Sequence, residues 1–275
     1  MIIDFHAHCF AEKIVDKAMA QLIASCGAPD AFFDGSVPGL LDTMDAAGID
    51  AAVVLNIATN PHQQRAVNDF AIGLAERSPL LSNGCPRLTG FGSVHPQAPD
   101  ALEELRRLHA AGIKGIKLHP DYQEFFVDDP AMFPIYRETA RLGMITVFHA
   151  GLDIGIPDPV HCRPAALAKV IPLFGGAPVV AAHFGGYMLW QDVLRGLCGR
   201  DGVYLDTSYS ARKMPPPWAR EILEAHGAER ILFGTDLPWS NVADELHYVR
   251  QLGASEAELK AILGENAAQL LGFIG

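Results

Sequence analysis

Eight short apolar runs, eight intervening stretches of helical period and a length of 275 residues predict an α/β fold, a (β/α)8 or TIM barrel. Alternation of this kind gives parallel strands joined by right-handed crossovers, and eight units suffice for closure. A doubly wound open sheet is the competing arrangement. It normally carries a glycine-rich phosphate loop after its first strand, and none follows here.

The first strand run is Met1–His8, rich in Ile and Phe and ending in two histidines. The connection from Cys9 to Gly48 is longer than one crossover helix needs. It holds two helical segments, "AEKIVDKAMAQLIAS" and "VPGLLDTMDAAG", and is expected to form a lid or wall. Strands Asp50–Ile57, Leu88–His95 and Ile113–His119 follow, separated by "PHQQRAVNDFAIGLAERS" and "PDALEELRRLHAAG". After "PAMFPIYRETARLG" come Met144–His149, then "RPAALAKVIPLFG" and Pro178–His183. The last units are "YMLWQDVLRGLCG", Gly202–Thr207, "PPPWAREILEAHG", Arg230–Asp236 and "NVADELHYVRQLG". Several helices carry Pro near the start and Gly just past the end, where each residue's backbone preference fits. The tail "SEAELKAILGENAAQLLGFIG" reads as an extra helical pair capping the barrel. With no linker, low-complexity stretch or repeat, residues 1–275 are expected to form one domain.

Nearly half the residues are hydrophobic, but no apolar run is long enough to span a membrane. A net charge of −11 argues against nucleic-acid and anionic-membrane surfaces, which need clustered Lys and Arg. A small-molecule substrate is the expected partner, and a homo-oligomer is compatible with this composition. No secretory signal pattern opens the chain, so a cytoplasmic location is expected. The five cysteines, Cys9, Cys26, Cys85, Cys162 and Cys198, are odd in number and scattered, and read as reduced thiols.

Side chains two apart on a strand share a face, so His6 and His8 look into one space. His119, His149, His183 and Asp236 also fall at predicted C-terminal strand ends. In a (β/α)8 barrel those ends surround a single mouth. Six convergent groups of these types point to a metal or catalytic site. Strand parity puts Ile145 and Val147 below His149, Val179 and Ala181 below His183, and Leu232 and Gly234 below Asp236. Lys117 and His119 share parity as well. His95 is expected at the mouth or its floor, whereas His62, His109, His226 and His247 lie on helical segments and are expected in solvent.

The motifs "DFHAH", "GIKLHPDYQ", "VFHAG", "AHFGG", "ILFGTDLPWS" and "ILGENAAQLLG" resemble the amidohydrolase superfamily, in its amidohydrolase-related branch that also contains decarboxylases. The resemblance implies one divalent metal, usually zinc, held by His6, His8, His149 and Asp236, with His183 orienting or activating water. Another divalent metal, or a binuclear site bridged by a carboxylated Lys117, is the alternative; a plain Lys117 paired with a carboxylate such as Asp4 is preferred. His119 is a spare ligand, a substrate donor or a structural cap.

Zinc lowers the pKa of bound water toward about 7, and Asp236 can relay a proton while His183 bonds the water or an oxyanion. The expected activity is therefore metal-dependent hydrolysis of an ester, lactone or amide. A non-oxidative decarboxylase of a small unsaturated or aromatic acid stands second, because some such enzymes carry an acidic residue where "HFGG" has glycine. A non-catalytic small-molecule-binding barrel stands third. Arg163, Arg212 and Lys213 are candidate anchors for an anionic substrate. Tyr187, Trp190 and Trp239 are candidate pocket walls.

Overall fold

A computed structural model describes residues 1–26 and 31–274, apart from the side chains of Ser25 and Cys26. Strands β1 (Ile3–Ala7), β2 (Ala51–Leu55) and β3 (Leu88–Phe91) form one parallel arc. A second arc runs in chain order through β4 (Gly115–Leu118), β5 (Ile145–Phe148), β6 (Val179–Ala181), β7 (Val203–Asp206) and β8 (Ile231–Leu232). The arcs meet at two seams. Gly92 bridges Ile116 at one, where Lys117 N–H donates to the Gly92 carbonyl (2.8 Å). Ala7 bridges Leu237 at the other, where Phe5 N–H donates to the Phe233 carbonyl (2.7 Å).

The long first connection holds α1 (Val15–Cys26) and α2 (Val37–Ala47). Helix α2 begins at Ser36, whose hydroxyl accepts Gly39 N–H, and stops at Gly48 in the left-handed conformation. Crossovers use α3 (Gln64–Arg77), α4 (Ala101–Ala110), α5 (Phe133–Arg141), α6 (Pro164–Val170), α7 (Trp190–Gly196), α8 (Pro216–His226) and α9 (Val242–Arg250). The tail forms α10 (Glu256–Lys260), a π turn (Ala261–Glu265) and α11 (Asn266–Leu271). No helix among the described residues is long and apolar enough to cross a membrane.

Two apolar clusters result. The larger lies between strands and surrounding helices. The smaller draws Ile3, Phe5, Val53, Phe91, Ile145, Val147, Val180 and Leu232 into the barrel interior, closed by Ala267, Ala268 and Leu271 of α11. The cap expected of the tail is thus a plug in one end of the barrel.

Strand parity fails on β6. Val180 faces the interior, whereas Val179 and Ala181 join the outer cluster. The last strand is also shorter than expected: after Leu232 the chain leaves the ladder, and Phe233 N–H donates to Ile262 O (2.9 Å) in the tail. His226 is buried, not solvated, because its Nε2–H reaches the Val203 carbonyl (3.1 Å) and its Nδ1 accepts Gly199 N–H (3.2 Å). His62, His109 and His247 are exposed. Cys9, Cys85, Cys162 and Cys198 are free thiols, while the side chain of Cys26 lies outside the described residues.

Candidate active site

His6 and His8 reach the mouth through an irregularity in β1. Its register against β2 shifts between Asp4 and Ala7, so the alternation that buries Ile3 and Phe5 in the interior breaks where His6 begins. Their rings lie 5.2 Å apart. His183 and Asp236 arrive differently, each just past its strand with φ of 60° and 69°. Left-handed backbone at non-glycine residues is uncommon and gathers at functional sites.

Three donors converge at this end. His8 Nε2 lies 3.0 Å and His6 Nε2 3.4 Å from Asp236 Oδ1, and the ligand atoms of these residues lie within 4.8 Å of one another. His6 is fixed from behind by Asp206, whose Oδ2 is 2.9 Å from Nδ1. The other Asp206 oxygen accepts the N–H groups of His183 and Ser208 (3.1 Å each) and the Ser208 hydroxyl. Burial, then the charge of Lys117, lowers His6 to about 4, which leaves a neutral imidazole. Burial raises Asp236, but the His8 hydrogen bond and the nearby imidazoles outweigh it and hold the carboxyl below its usual range.

Lys117 is fully buried, with Nζ 3.3 Å from His6 Nε2, and burial lowers it to about 8. Asp206 and Asp236 supply the opposing charge. Asp4 does not pair with Lys117 as expected. Its carboxyl accepts the Thr235 hydroxyl (2.5 Å), Thr235 N–H (2.9 Å) and His6 N–H (3.0 Å), tying β1 to the segment that follows β8.

The facing wall carries a second group. Ligand atoms of His119, His149 and Asp153 lie within 4.8 Å of one another, all three residues are buried, and the two imidazoles stack at 4.1 Å. His149 Nδ1 is 3.1 Å from His183 Nε2, and His183 Nδ1 lies against the Ser208 carbonyl (3.1 Å) and hydroxyl (2.9 Å). The structure therefore brings His6, His8 and Asp236 together and places His149 with His119, linked to the first group through His183.

A cavity of about 330 Å³ joins both groups. Phe10, Tyr122, Tyr187, Tyr209 and Trp239 contribute aromatic surface, and Gln21 and Leu22 of α1 extend over it as the wall expected of the first connection. Lys117 is the one Lys or Arg among its described lining residues. Arg163, Arg212 and Lys213 are exposed and outside the lining, so the expected anion anchors are not brought to the pocket. Trp190 is structural, its indole N–H donating to the His183 carbonyl (3.2 Å). His95 is buried outside the lining, accepting Gln97 N–H. His161 pairs with Asp121 (2.9 Å) behind the pocket.

Sequence reasoning missed Asp153, Asp206 and Ser208. Asp206 lies one residue before the end of a predicted strand, close to the signal that singled out Asp236. Asp153 carried no such signal, because a loop turn aims it.

Strand-end imidazoles and carboxylates thus gather around the mouth of eight βα units. The chain belongs to the amidohydrolase family, whose model matches residues 3–273. A curated relative, 2-amino-3-carboxymuconate-6-semialdehyde decarboxylase of Dictyostelium discoideum, is 24% identical over 208 residues, 67% of this chain. The match spans 55% of that relative's own length. A dihydroxybenzoic acid decarboxylase of a Polaromonas species, solved with manganese and the inhibitor 2-nitroresorcinol, superimposes with a TM-score of 0.72 at 18% identity. That comparison covers 99% of this chain and 97% of the neighbour. A protein of Acinetobacter baumannii assigned as a 2-pyrone-4,6-dicarboxylic acid hydrolase, with citric acid bound, gives 0.67 at 20% identity and covers 99% of each chain. At these identities the structural likeness establishes the TIM-barrel fold, and the activities are those of the neighbours.

Proposed function

We propose that the protein is a metal-dependent, non-oxidative decarboxylase of a small unsaturated or aromatic carboxylic acid. The observation that carries this reading is the aromatic pocket around His6, His8 and Asp236, with a single buried lysine among its described lining residues. A planar ring fits between aromatic walls. Loss of carbon dioxide removes a carboxylate charge, and surroundings poor in cations and water favour its dispersal.

His6, His8 and Asp236 fit a divalent cation: two imidazoles and an ionised carboxylate, with His6 held neutral by burial and oriented by a buried aspartate behind it. When bound, the cation supplies a Lewis acid that fixes an anionic substrate group. The nitrogen and oxygen donors do not single out zinc. His183, its Nδ1 held against Ser208 and its Nε2 beside His149 Nδ1, lines the cavity and passes a proton taken from solvent to the carbon that loses the carboxylate. Asp236, held ionised, takes up the proton of a substrate hydroxyl. Tyr187 and Trp239 wall the ring, and α1 restricts water.

Hydrolysis of an ester, lactone or amide remains the second reading, favoured by the likeness to the pyrone dicarboxylic acid hydrolase. A dicarboxylate brings two negative charges to a pocket with one lining cation, already engaged with His6, which weighs against it. Nor does "HFGG" oppose decarboxylation. A Cβ on Gly185 would come 2.9 Å from Leu205 and Val193, so close contact demands glycine there, and Asp206 and Asp153 bring acidic groups by other routes.

The test incubates manganese- or zinc-loaded protein in deuterated water with hydroxybenzoic and unsaturated amino-carboxylic acids, and in ¹⁸O water with lactones, esters and amides. Carbon dioxide with one deuterium at the vacated carbon is expected. Turnover confined to acyl substrates, with ¹⁸O in the product carboxylate, would establish the hydrolase instead.

A further inference from the structure

We infer that the Tyr187 hydroxyl is a specificity group, an uncharged donor that recognises the carboxylate the substrate loses. The choice of that carboxylate rests on the decarboxylase reading. Tyr187 is 7% exposed and lines the cavity, yet its hydroxyl meets no hydrogen-bond partner among the described residues and is not sealed in the interior. A buried tyrosine hydroxyl ordinarily finds a partner. This chain follows that rule elsewhere: Tyr136 donates to the Val127 carbonyl and Tyr248 to the Met214 carbonyl, 2.9 Å each. The exception stands at the cavity, where a bound molecule supplies the missing acceptor.

Backbone contacts fix its place. Beyond β6 the chain returns beside the loop after β5, where Tyr187 N–H donates to the Ala150 carbonyl (2.8 Å) and Leu152 N–H donates to the Tyr187 carbonyl (3.0 Å). Gly151 lies between them with φ of 89°, and a Cβ there would come 2.2 Å from the Tyr187 nitrogen, so only glycine lets the two loops approach. The ring packs edge-on against Trp190 (6.0 Å) and Tyr209 (5.7 Å) and stands 6.2 Å from the His183 ring. A donor so constrained has little freedom to lose on binding. The group nearest it on the substrate is then the one nearest His183, which protonates the carbon that bears the carboxylate.

Chemistry favours a neutral donor here. Burial, then the neighbouring Tyr209, raises the phenol to about 12, so it keeps its proton. Three other donors of the lining are spent: Lys117 on His6 (3.3 Å), the Asn56 amide on the Cys9 carbonyl (2.8 Å) and the Thr59 hydroxyl on Gln63 (2.9 Å). A hydroxyl bound to a carboxylate gains from the charge without neutralising it, as a lysine or arginine would. When carbon dioxide leaves, that charge passes to the carbon skeleton and the hydrogen bond weakens. The contact therefore selects the acid in the ground state and contributes little in the transition state.

Tyr187→Phe removes the hydroxyl and keeps the ring with its packing. Manganese-loaded protein and variant are titrated calorimetrically with salicylate and with phenol, the same ring without its carboxylate. Salicylate should bind the variant about 10- to 100-fold more weakly, the range of a lost hydrogen bond to a charged group, and phenol equally well. For any acid the protein decarboxylates, KM should rise by the same factor while kcat does not fall. Equal salicylate affinity in both proteins would overturn the inference, as would equal weakening of both probes, which marks a packing effect. Salicylate binding no tighter than phenol to the unaltered protein would overturn it too. Carboxylate-selective binding lost in the variant, without carbon dioxide release from any acid, would keep the role of Tyr187 and remove the decarboxylase reading. Carbon dioxide release with an unaltered KM in the variant would do the reverse.

Discussion

His6 and His183 show how little of a site's chemistry belongs to the residue that performs it. Both imidazoles are oriented from the end of β7 and the loop that follows it: Asp206 fixes His6 Nδ1, and the Ser208 carbonyl and hydroxyl fix His183 Nδ1. Carboxylates behind ligating histidines hold the ring and raise its basicity, and their loss typically weakens metal binding about tenfold to a hundredfold. Asp206→Asn should therefore lower affinity for the ion at His6 by that factor, measured by competition with a chromogenic chelator. Unchanged affinity would remove Asp206 from the site. His183→Asn tests the other imidazole with little backbone cost, because asparagine tolerates the left-handed conformation found there (φ 60°). Turnover should fall about 10²- to 10⁴-fold, the range of a lost acid or base, with the ion at His6, His8 and Asp236 retained. Loss of that ion would make His183 a ligand instead.

At the scale of elements, loops at the mouth are held by helix ends as well as strands. Glu245, in the first turn of α9, accepts the Ser240 hydroxyl (2.6 Å) and the N–H groups of Ser210 (3.3 Å) and Ala211 (3.2 Å), joining the loops after β7 and β8. Glu245→Ala leaves these donors buried without an acceptor and should cost about 1–3 kcal/mol by urea unfolding. Burial raises this carboxyl from 4.5 to about 8, so the folded state binds a proton that the unfolded state releases. Its contribution is fully present below pH 4.5 and is lost as pH rises through about 8. The unfolding midpoint should accordingly fall from pH 5 to 9 relative to Glu245→Gln, which stays neutral; parallel curves would contradict this. Element positions were legible in the sequence because apolar runs and helical periods repeat, and strand ends located His6, His8, His119, His149 and Asp236. Backbone departures were not legible: a register shift in β1 turns His6 toward the mouth, left-handed residues deliver His183 and Asp236, and a turn after β5 aims Asp153. Each depends on neighbours far along the chain, which periodicity does not report.

Over the whole molecule the two ends of the barrel divide the work. Titratable groups and the cavity lie where the strands end, whereas the opposite end is filled by apolar side chains and α11. The tail is tied in by Asn266, whose amide donates to the carbonyls of Ala228 (2.7 Å) and Ile231 (2.8 Å) beside β8. This matters because β8 has only two ladder residues, so the seam between β1 and β8 relies on what packs beneath it. Leu271, 2% exposed, is the largest side chain that α11 contributes to the interior cluster. Leu271→Ala removes buried methyl groups from a plug that cannot collapse around the gap, and should cost about 2–5 kcal/mol in denaturant unfolding. The mouth lies at the other end of the strands, so metal content and turnover of the folded variant should stay at the unaltered level in the absence of denaturant. Loss of activity in step with loss of stability would mean that the plug also sets the geometry of the mouth, and that the two ends are mechanically one.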